Sequence, residues 1–339
     1  MVLENYATYR EIKSQSAAWQ NALDVADAAT LPEAAEYEQV IFTGCGSTYY
    51  LSLAAASLYQ ELTGRVARAI PAGDLLLNPQ IVIRENIPQL LVAVSRSGTT
   101  TETIKAAEKF KAEQRGNVIG ITCYDTALVD LSEGSLVILE GQEESVAQTR
   151  SFASMYVAAN AFCARMAGRK DLLELMKKLP ELGNGLIKNY ESFAKEMGEN
   201  LNFDRFYFLG SGIRHGLACE VNLKMKEMTL THSEPFHFLE FRHGPMSMVN
   251  EKAVVVGLLS ESNFSHEKAV LNEMQALGGK TMSLAESQAD ISFQSQIPEN
   301  ARGVLYLPVL QLMAFYRSVA KGLNPDRPKN LTAVVQLNM

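Results

Sequence analysis

Val40-Ile41-Phe42-Thr43-Gly44-Cys45-Gly46-Ser47 is an apolar run that breaks at a glycine turn. Its shape recurs 166 positions later as Phe206-Tyr207-Phe208-Leu209-Gly210-Ser211-Gly212. The match continues outward through Leu51 with Leu217, Glu61 with Glu227 and Thr63 with Thr229. A second strand and turn, residues 91–97 (LVAVSRS), resembles residues 256–262 (VGLLSES) at an offset of 165. Two matches at nearly one spacing, close to half the 339-residue chain, read as a duplicated domain.

Within each copy, short apolar strands alternate with helical segments. The first copy is expected to hold strands near 39–44, 67–70, 89–95, 117–122 and 135–139, with helices near 47–63, 99–113 and 148–168. The second is expected to hold strands near 205–209, 253–259, 279–283 and 303–307, with helices near 214–230, 265–277 and 308–322. Continuous apolar strands separated by helices indicate parallel sheets covered on both faces. The expected fold is therefore α/β, with two tandem doubly wound parallel-sheet domains of the flavodoxin-like kind. Their expected bounds are an N-terminal helical segment over 1–35, a first domain over 36–168, a second over 169–325 and a tail over 326–339. In such sheets ligands bind outside the carboxyl ends of the strands, which is where the informative residues should lie.

Composition narrows the classes. Apolar residues make up 47% and charged residues 20%, the range of a soluble globular chain with sizeable cores. The formal charge is −7 and no block of like charge exceeds a few residues, so nucleic acid is not expected as a partner, and no membrane partner is expected either. Residues 39–60 carry no charge, yet Gly44, Gly46, Ser47, Thr48, Ser52 and Ser57 suit a buried strand, turn and helix better than lipid. Four scattered cysteines without a C-x-x-C pair, and a start without a leader pattern, point to the cytoplasm.

The strand over 89–95 runs into Ser95-Arg96-Ser97-Gly98-Thr99-Thr100-Thr101-Glu102-Thr103, where six of nine residues carry hydroxyls. A helix N-terminus offers orphan N–H groups and a positive dipole end, and hydroxyls add neutral donors, so the turn suits a phosphate. Ordinary capping, with a capping box from Thr99 to Glu102, would use one or two of these hydroxyls. The turn is neither a Walker loop nor a dinucleotide fingerprint, so no nucleotide cofactor is expected.

All five histidines lie in the second half. The helix there carries Glu220, Lys224 and Glu227 at i, i+4 and i+7, on one face. Such a row is either a solvated stripe or a set that moves protons. His232, His237 and His266 read as surface or structural, and no Cys/His cluster has metal spacing.

Three motifs make the chain recognisable: Gly44-Cys45-Gly46-Ser47-Thr48-Tyr49, residues 95–103, and Arg242-His243-Gly244-Pro245. With them the chain resembles the sugar isomerase (SIS) domain family over roughly 35–339. The likeness is to the isomerase half of glutamine-dependent glucosamine-6-phosphate synthase, to SIS-type glucosamine-6-phosphate deaminases and to related enzymes of galactosamine metabolism. The resemblance implies that Ser47, Thr48, Ser95, Ser97 and Thr100 hold a sugar 6-phosphate, with Arg96 adding a charge where a glutamine is common. It implies Glu227 as the general base, sixteen residues before His243 as in the synthase, and His243 as the group that opens the sugar ring. Gly46, Val146, Gln148 and Lys224 follow as further substrate contacts. The loop bearing His243 is implied to reach a partner subunit's site in a homodimer.

Departures limit the carry-over. The second copy has Ser260-Glu261-Ser262-Asn263, which lacks the glycine and threonines and adds an acid, so it is not expected to bind phosphate. Ala333 stands where the resembling tail carries its Schiff-base lysine, and no glutaminase segment is present, so glutamine-driven synthesis is not expected. The expected activity is conversion of glucosamine 6-phosphate to fructose 6-phosphate and ammonia through a cis-enediol or enolamine. Galactosamine 6-phosphate, tagatose 6-phosphate or a fructosamine 6-phosphate remain alternative substrates. A phosphosugar-sensing module is the alternative without catalysis, although the first 35 residues are too short and acidic for a helix-turn-helix.

Overall fold

After α1 (Ala7–Ala28), the first sheet and its helices follow as β1 (Gln39–Gly44), α2 (Ser47–Thr63), β2 (Val66–Pro71), α3 (Ala72–Leu77), β3 (Gln89–Val94), α4 (Thr101–Ala112), β4 (Gly116–Thr122), α5 (Ala127–Leu131) and β5 (Gly134–Val137). Three helices come next, α6 (Arg150–Met166), α7 (Lys170–Met176) and α8 (Leu179–Glu199). The second sheet is built from β6 (Arg205–Leu209), α9 (Ile213–Thr229), β7 (His232–Phe236), β8 (Ala253–Leu258), α10 (Phe264–Ala276), β9 (Lys280–Ala285) and β10 (Ile291–Ser292), followed by α11 (Pro308–Ala320). The structure is a computed structural model and describes residues 2–334 and 337.

Both sheets are wholly parallel. The strand order is β2-β1-β3-β4-β5 in the first and β7-β6-β8-β9-β10 in the second, which is one order used twice. That order reverses direction between β1 and β3, and between β6 and β8, so each sheet has a crevice at the carboxyl ends of those strands. The central strands β1, β3 and β8 are buried at every residue, as strands covered on both faces must be.

The glycine turns that betray the duplication share one backbone geometry. Gly46 sits at φ 56°, ψ −122° and Gly212 at φ 57°, ψ −131°, a region open to glycine and closed to side chains. Gly44 and Gly210 serve a close approach instead. A Cβ on either would lie 2.5 Å from the following helix, at Thr48 Oγ1 and at the Arg214 carbonyl respectively. Register pairs residue 39 with 89 and residue 205 with 253, so β3 and β8 match at an offset of 164, one less than the sequence match gives.

Two expectations change. The run over 303–307 is not a strand: residues 303–306 form a buried 3-10 turn that feeds α11, whose first residue is Pro308. Periodicity alone does not separate a short buried strand from a buried helical turn. Two strands of that sheet lie outside the expected set: β10, only two residues long, and β7, whose sequence HSEPF explains its omission. That sequence is polar and contains Pro235, which an edge strand tolerates.

The chain forms two compact units. The unit around the first sheet comprises the described residues of Ser14–Glu143, Gln148–Pro180 and Thr332–Met339. The unit around the second comprises those of Met1–Lys13, Glu144–Ala147 and Glu181–Leu331. Ile41, Leu91, Ala93, Phe110 and Val118 center one core cluster in the first-sheet unit. Tyr207, Phe238, Phe241, Val255 and Met274 center another in the second. The segment Gly303–Ala320 is long and apolar enough to cross a membrane, but 89% of it is buried inside the protein.

Candidate functional site

In the first-sheet unit, β1 and β3 deliver two hydroxyl-bearing turns to the crevice. Ser95 and Thr100 hydroxyls lie 3.0 Å apart, and Ser95 Oγ accepts from the Gly98 N–H at 3.1 Å. Ser97 Oγ accepts from the Thr99 N–H (3.2 Å) and the Thr99 hydroxyl (3.0 Å), which leaves its own proton to donate outward. The turn is braced from below, because Thr122 Oγ1 donates to the Arg96 carbonyl and Thr126 Oγ1 to the Ser97 carbonyl. Gly98 has φ +65°, and a Cβ there would lie 2.3 Å from Thr126 Oγ1. Only glycine fits that brace.

The capping alternative is not what these hydroxyls do. Thr100 is the N-cap of α4 and makes no side-chain cap bond, while Glu102 Oε2 is buried without a hydrogen-bond partner. Ser97, Thr99 and Thr100 remain partly exposed at the helix N-terminus, with Ser47, Thr48 and Ser95 buried behind them. Thr48 Oγ1 accepts from the Cys45 N–H at 2.9 Å and fixes the glycine turn. Burial pushes the Cys45 thiol up to about 11, so the turn presents a thiol and not a thiolate at neutral pH.

Arg96 lies on the same turn, but its guanidinium is directed to Glu143 (3.6 Å) and to the Ala333 carbonyl (2.9 Å). Glu143, with its side chain fully buried, also accepts from the Thr149 N–H (2.8 Å), the Thr149 hydroxyl (2.9 Å) and the Ser151 hydroxyl. Nothing in the Glu143-Glu144 pair marks one of them as buried, so the sequence reading missed it. Thr101 Oγ1 accepts from the Leu337 N–H at 3.1 Å. Gln148 follows, and its Oε1 is buried without a hydrogen-bond partner. In the second-sheet unit, the Val146 N–H donates to the Asp326 carbonyl at 2.9 Å.

The matching turn of the second-sheet unit holds its own anions. The Ser260 N–H donates to Glu267 Oε2 (2.6 Å) and the Glu261 N–H to Glu299 Oε2 (2.8 Å). Arg214 pairs with both carboxylates, at 3.7 Å to Glu267 and closely to Glu299. Arg214 occupies the helix position of Thr48, and Glu267 the position that Ile104 takes in α4. Buried Arg302 adds contacts to Glu261 (3.3 Å) and Glu286 (3.5 Å). Two guanidiniums against four carboxylates leave this turn net negative, which disfavours a phosphate.

The charged row on α9 is not a solvated stripe. Glu220 and Lys224 are buried, while the Glu227 side chain is 19% exposed and forms the outer end of the row. Lys224 Nζ lies 3.4 Å from Glu220 Oε1 and 2.5 Å from Glu227 Oε2. Buried charges of this kind persist only when paired. His243 is exposed, at the end of a 3-10 turn over 240–242 and before Gly244 at φ +121°. Phe238 and Phe241 sink that loop into the core, and Arg242 makes a two-point bond to Glu273 (2.7 and 2.6 Å).

His215 and His237 stack with ring centroids 3.8 Å apart, and His215 Nε2 lies 3.6 Å from Cys219 Sγ. Burial, and then the neighbouring His237, lower the His215 pKa to about 4. His237 is exposed and packs its ring on His215, a pairing with no sequence signal. Among the described residues, no group of three or more His, Cys, Asp or Glu side chains could hold a metal.

A model of the SIS domain matches residues 35–165 and again 202–318. The chain belongs to this family. It is similar to the glutamine–fructose-6-phosphate aminotransferase (isomerizing) of Pyrococcus horikoshii, with 30% identity over 88% of this chain and 52% of that protein. The chain thus spans about half the length of such curated relatives. Among solved structures, glucosamine-6-phosphate deaminase from Thermotoga maritima matches with a TM-score of 0.81 and 27% identity, over 98% of this chain and 100% of that one. Tagatose-6-phosphate ketose/aldose isomerase from Escherichia coli shares the fold, with a TM-score of 0.82 and 22% identity over 98% and 97% of the two chains.

Two outcomes follow from the two turns and from the histidine stack. Ser95→Ala with Ser97→Ala should raise KM for a phosphorylated ligand at least about tenfold, since a hydrogen bond to a charged group contributes roughly 1.5–3 kcal/mol. Ser260→Ala should leave that KM at its native value, and steady-state kinetics on the two variants checks both. His215 is held below its ordinary 6.5, so its stabilising effect is complete above that value and is lost as pH falls toward about 4. Melting curves from pH 7 to 4 should therefore show a shallower acid loss for His215→Phe than for the native chain.

Proposed function

We propose that the chain is a phosphosugar aldose–ketose isomerase, and that its reaction converts glucosamine 6-phosphate to fructose 6-phosphate and ammonia. The observation that carries this reading is the buried row on α9, with Lys224 2.5 Å from the outer carboxylate Glu227. A carboxylate held by a buried ammonium and partly open at the edge of a core supports a role in exchanging a proton with a substrate carbon. The likeness to the Thermotoga deaminase over the whole chain supports the choice of reaction.

The residues divide the work by chemistry. In this reading the turn of Ser95, Ser97 and Thr100, with Gly46, Ser47 and Thr48, holds the 6-phosphate through hydroxyl and N–H donors. Arg96, tied to Glu143 and Ala333, orients the turn and adds positive charge nearby. His243 opens the sugar ring, because imidazole both gives and takes a proton near neutral pH. Glu227 then takes the proton from C2 of the open aldehyde, forming an enolamine, and returns it at C1. The C2 imine so formed adds water and loses ammonia, leaving the ketone. Val146, Gln148 and Lys224 are the further substrate contacts.

His243 is exposed in a single chain, and the reading has it complete the site of a second copy in a homodimer. Ala333 offers no amine for a Schiff base, which favours ammonia release over synthesis from glutamine. A cytoplasmic enzyme without metal, nucleic-acid or membrane partner completes the proposal.

The test is a panel of 6-phosphosugars assayed in deuterated water for ammonia, ketose and carbon-bound deuterium. Glucosamine 6-phosphate should give ammonia and fructose 6-phosphate with solvent deuterium at C1 or C2. Glu227→Gln should lower kcat by about 10²–10⁴-fold with KM little changed, and should nearly abolish the exchange. Turnover of galactosamine, tagatose or fructosamine 6-phosphate instead would keep the isomerase and replace the substrate. Tight binding without turnover of any of them would make the chain a sensor and overturn the proposal.

A further inference from the structure

Glu11 is a buried carboxylate on α1, in the second-sheet unit, and the reaction outlined above gives it no task. It accepts from the Glu144 N–H (2.6 Å), from the Ser145 N–H (3.2 Å) and from the Ser145 hydroxyl. Ser145 Oγ also contacts the Ala147 carbonyl at 3.0 Å. One residue further on, the Val146 N–H donates to the Asp326 carbonyl. The Asp326 carboxylate in turn accepts from the Ala7 N–H (2.9 Å), the Thr8 N–H (2.8 Å) and the Thr8 hydroxyl (2.7 Å), closing the N-terminus of α1.

We infer that Glu11 is a positioning residue for the sugar-contacting loop: it fixes segment 144–147 so that Val146 and the following residues meet the substrate in one conformation. This rests on the reading of residues 146–150 as a substrate loop. An unanchored loop samples many backbone states, and ordering it on binding would cost affinity. A buried carboxylate that accepts three donors from two consecutive residues removes that freedom in advance.

The helix does not need Glu11 for its own attachment. Glu191 receives the Tyr9 hydroxyl (2.6 Å), Lys13 Nζ (2.6 Å) and the Tyr316 hydroxyl (2.8 Å). Tyr6 and Tyr9 pack on Phe315 with ring centroids 5.6 and 5.2 Å away. Tyr9→Phe therefore loosens α1 without touching the loop, which supplies the control.

Glu11→Gln keeps the side chain's shape but removes the charge from all three hydrogen bonds and sets an amide NH2 against the Ser145 hydroxyl that donates to Oε2. KM should therefore rise about tenfold with kcat within about twofold of native. Hydrogen exchange at the Glu144 and Ser145 amides should accelerate in the same variant. Tyr9→Phe should lower Tm while KM and those two exchange rates stay native. Ser145→Ala removes one donor only and should shift KM in the same direction by less, which keeps the test alive if Glu11→Gln fails to fold. Native KM in Glu11→Gln, or an equal rise in Tyr9→Phe, overturns the inference. If the native chain turns over no phosphosugar, the proposed function falls, and exchange alone then decides the role of Glu11. Native protection at Glu144 and Ser145 in Glu11→Gln overturns it.

Discussion

A parallel sheet covered by helices gathers helix N-termini along one edge, and the N–H groups there need acceptors. Both sheets of this chain meet that demand with the same backbone, a strand that ends in a glycine near φ +57° and turns into a helix. At the turns that follow β3 and β8, the two copies diverge in what answers the N–H groups. The first keeps neutral hydroxyls on Ser95, Ser97 and Thr100 and leaves the turn partly exposed. The second brings in Glu267 and Glu299 and balances them with Arg214, so its turn is closed by the protein's own charges. The duplicated fold thus carries a partly exposed, hydroxyl-lined turn in one unit and an internal ion-pair network in the other.

The same logic of paired burial explains α9. An isolated ammonium as buried as that of Lys224 would lose its charge or destabilise the fold by several kcal/mol, on the order of 3–5 for a broken buried pair. Glu220 on one side and Glu227 on the other remove that penalty. Because Glu227 is the less buried of the two carboxylates, the arrangement that stabilises the lysine also points a fixed carboxylate outward. One set of contacts thus stabilises the buried lysine and sets the position of the carboxylate to which the proposed function gives the proton transfer.

The duplication, the α/β class and most strands and helices were legible because buried parallel strands are apolar and glycine turns are unmistakable. Residues 303–307 were misread because an apolar run of that length fits a strand or a 3-10 turn equally well. β7 was missed because its edge position permits a polar, proline-containing strand. The candidate site was legible where the local composition is unusual, as in the run from Ser95 to Thr103. Contacts between residues far apart in sequence were opaque: Glu11 with Ser145, Arg96 with Glu143, and His215 with His237 carry no local signal. Arg214 could have been found, since it replaces Thr48 at the matched position of the second copy.

The proposed function requires one phosphate site per chain, in the turn that kept its hydroxyls. A crystal structure of the chain soaked with a nonreacting sugar 6-phosphate, together with calorimetric stoichiometry, tests it most directly. The account predicts one equivalent per chain, with the phosphate within hydrogen-bond distance of Ser95, Ser97 and Thr100. Two equivalents, or a phosphate seated at Ser260 among Arg214, Glu267 and Glu299, would contradict it.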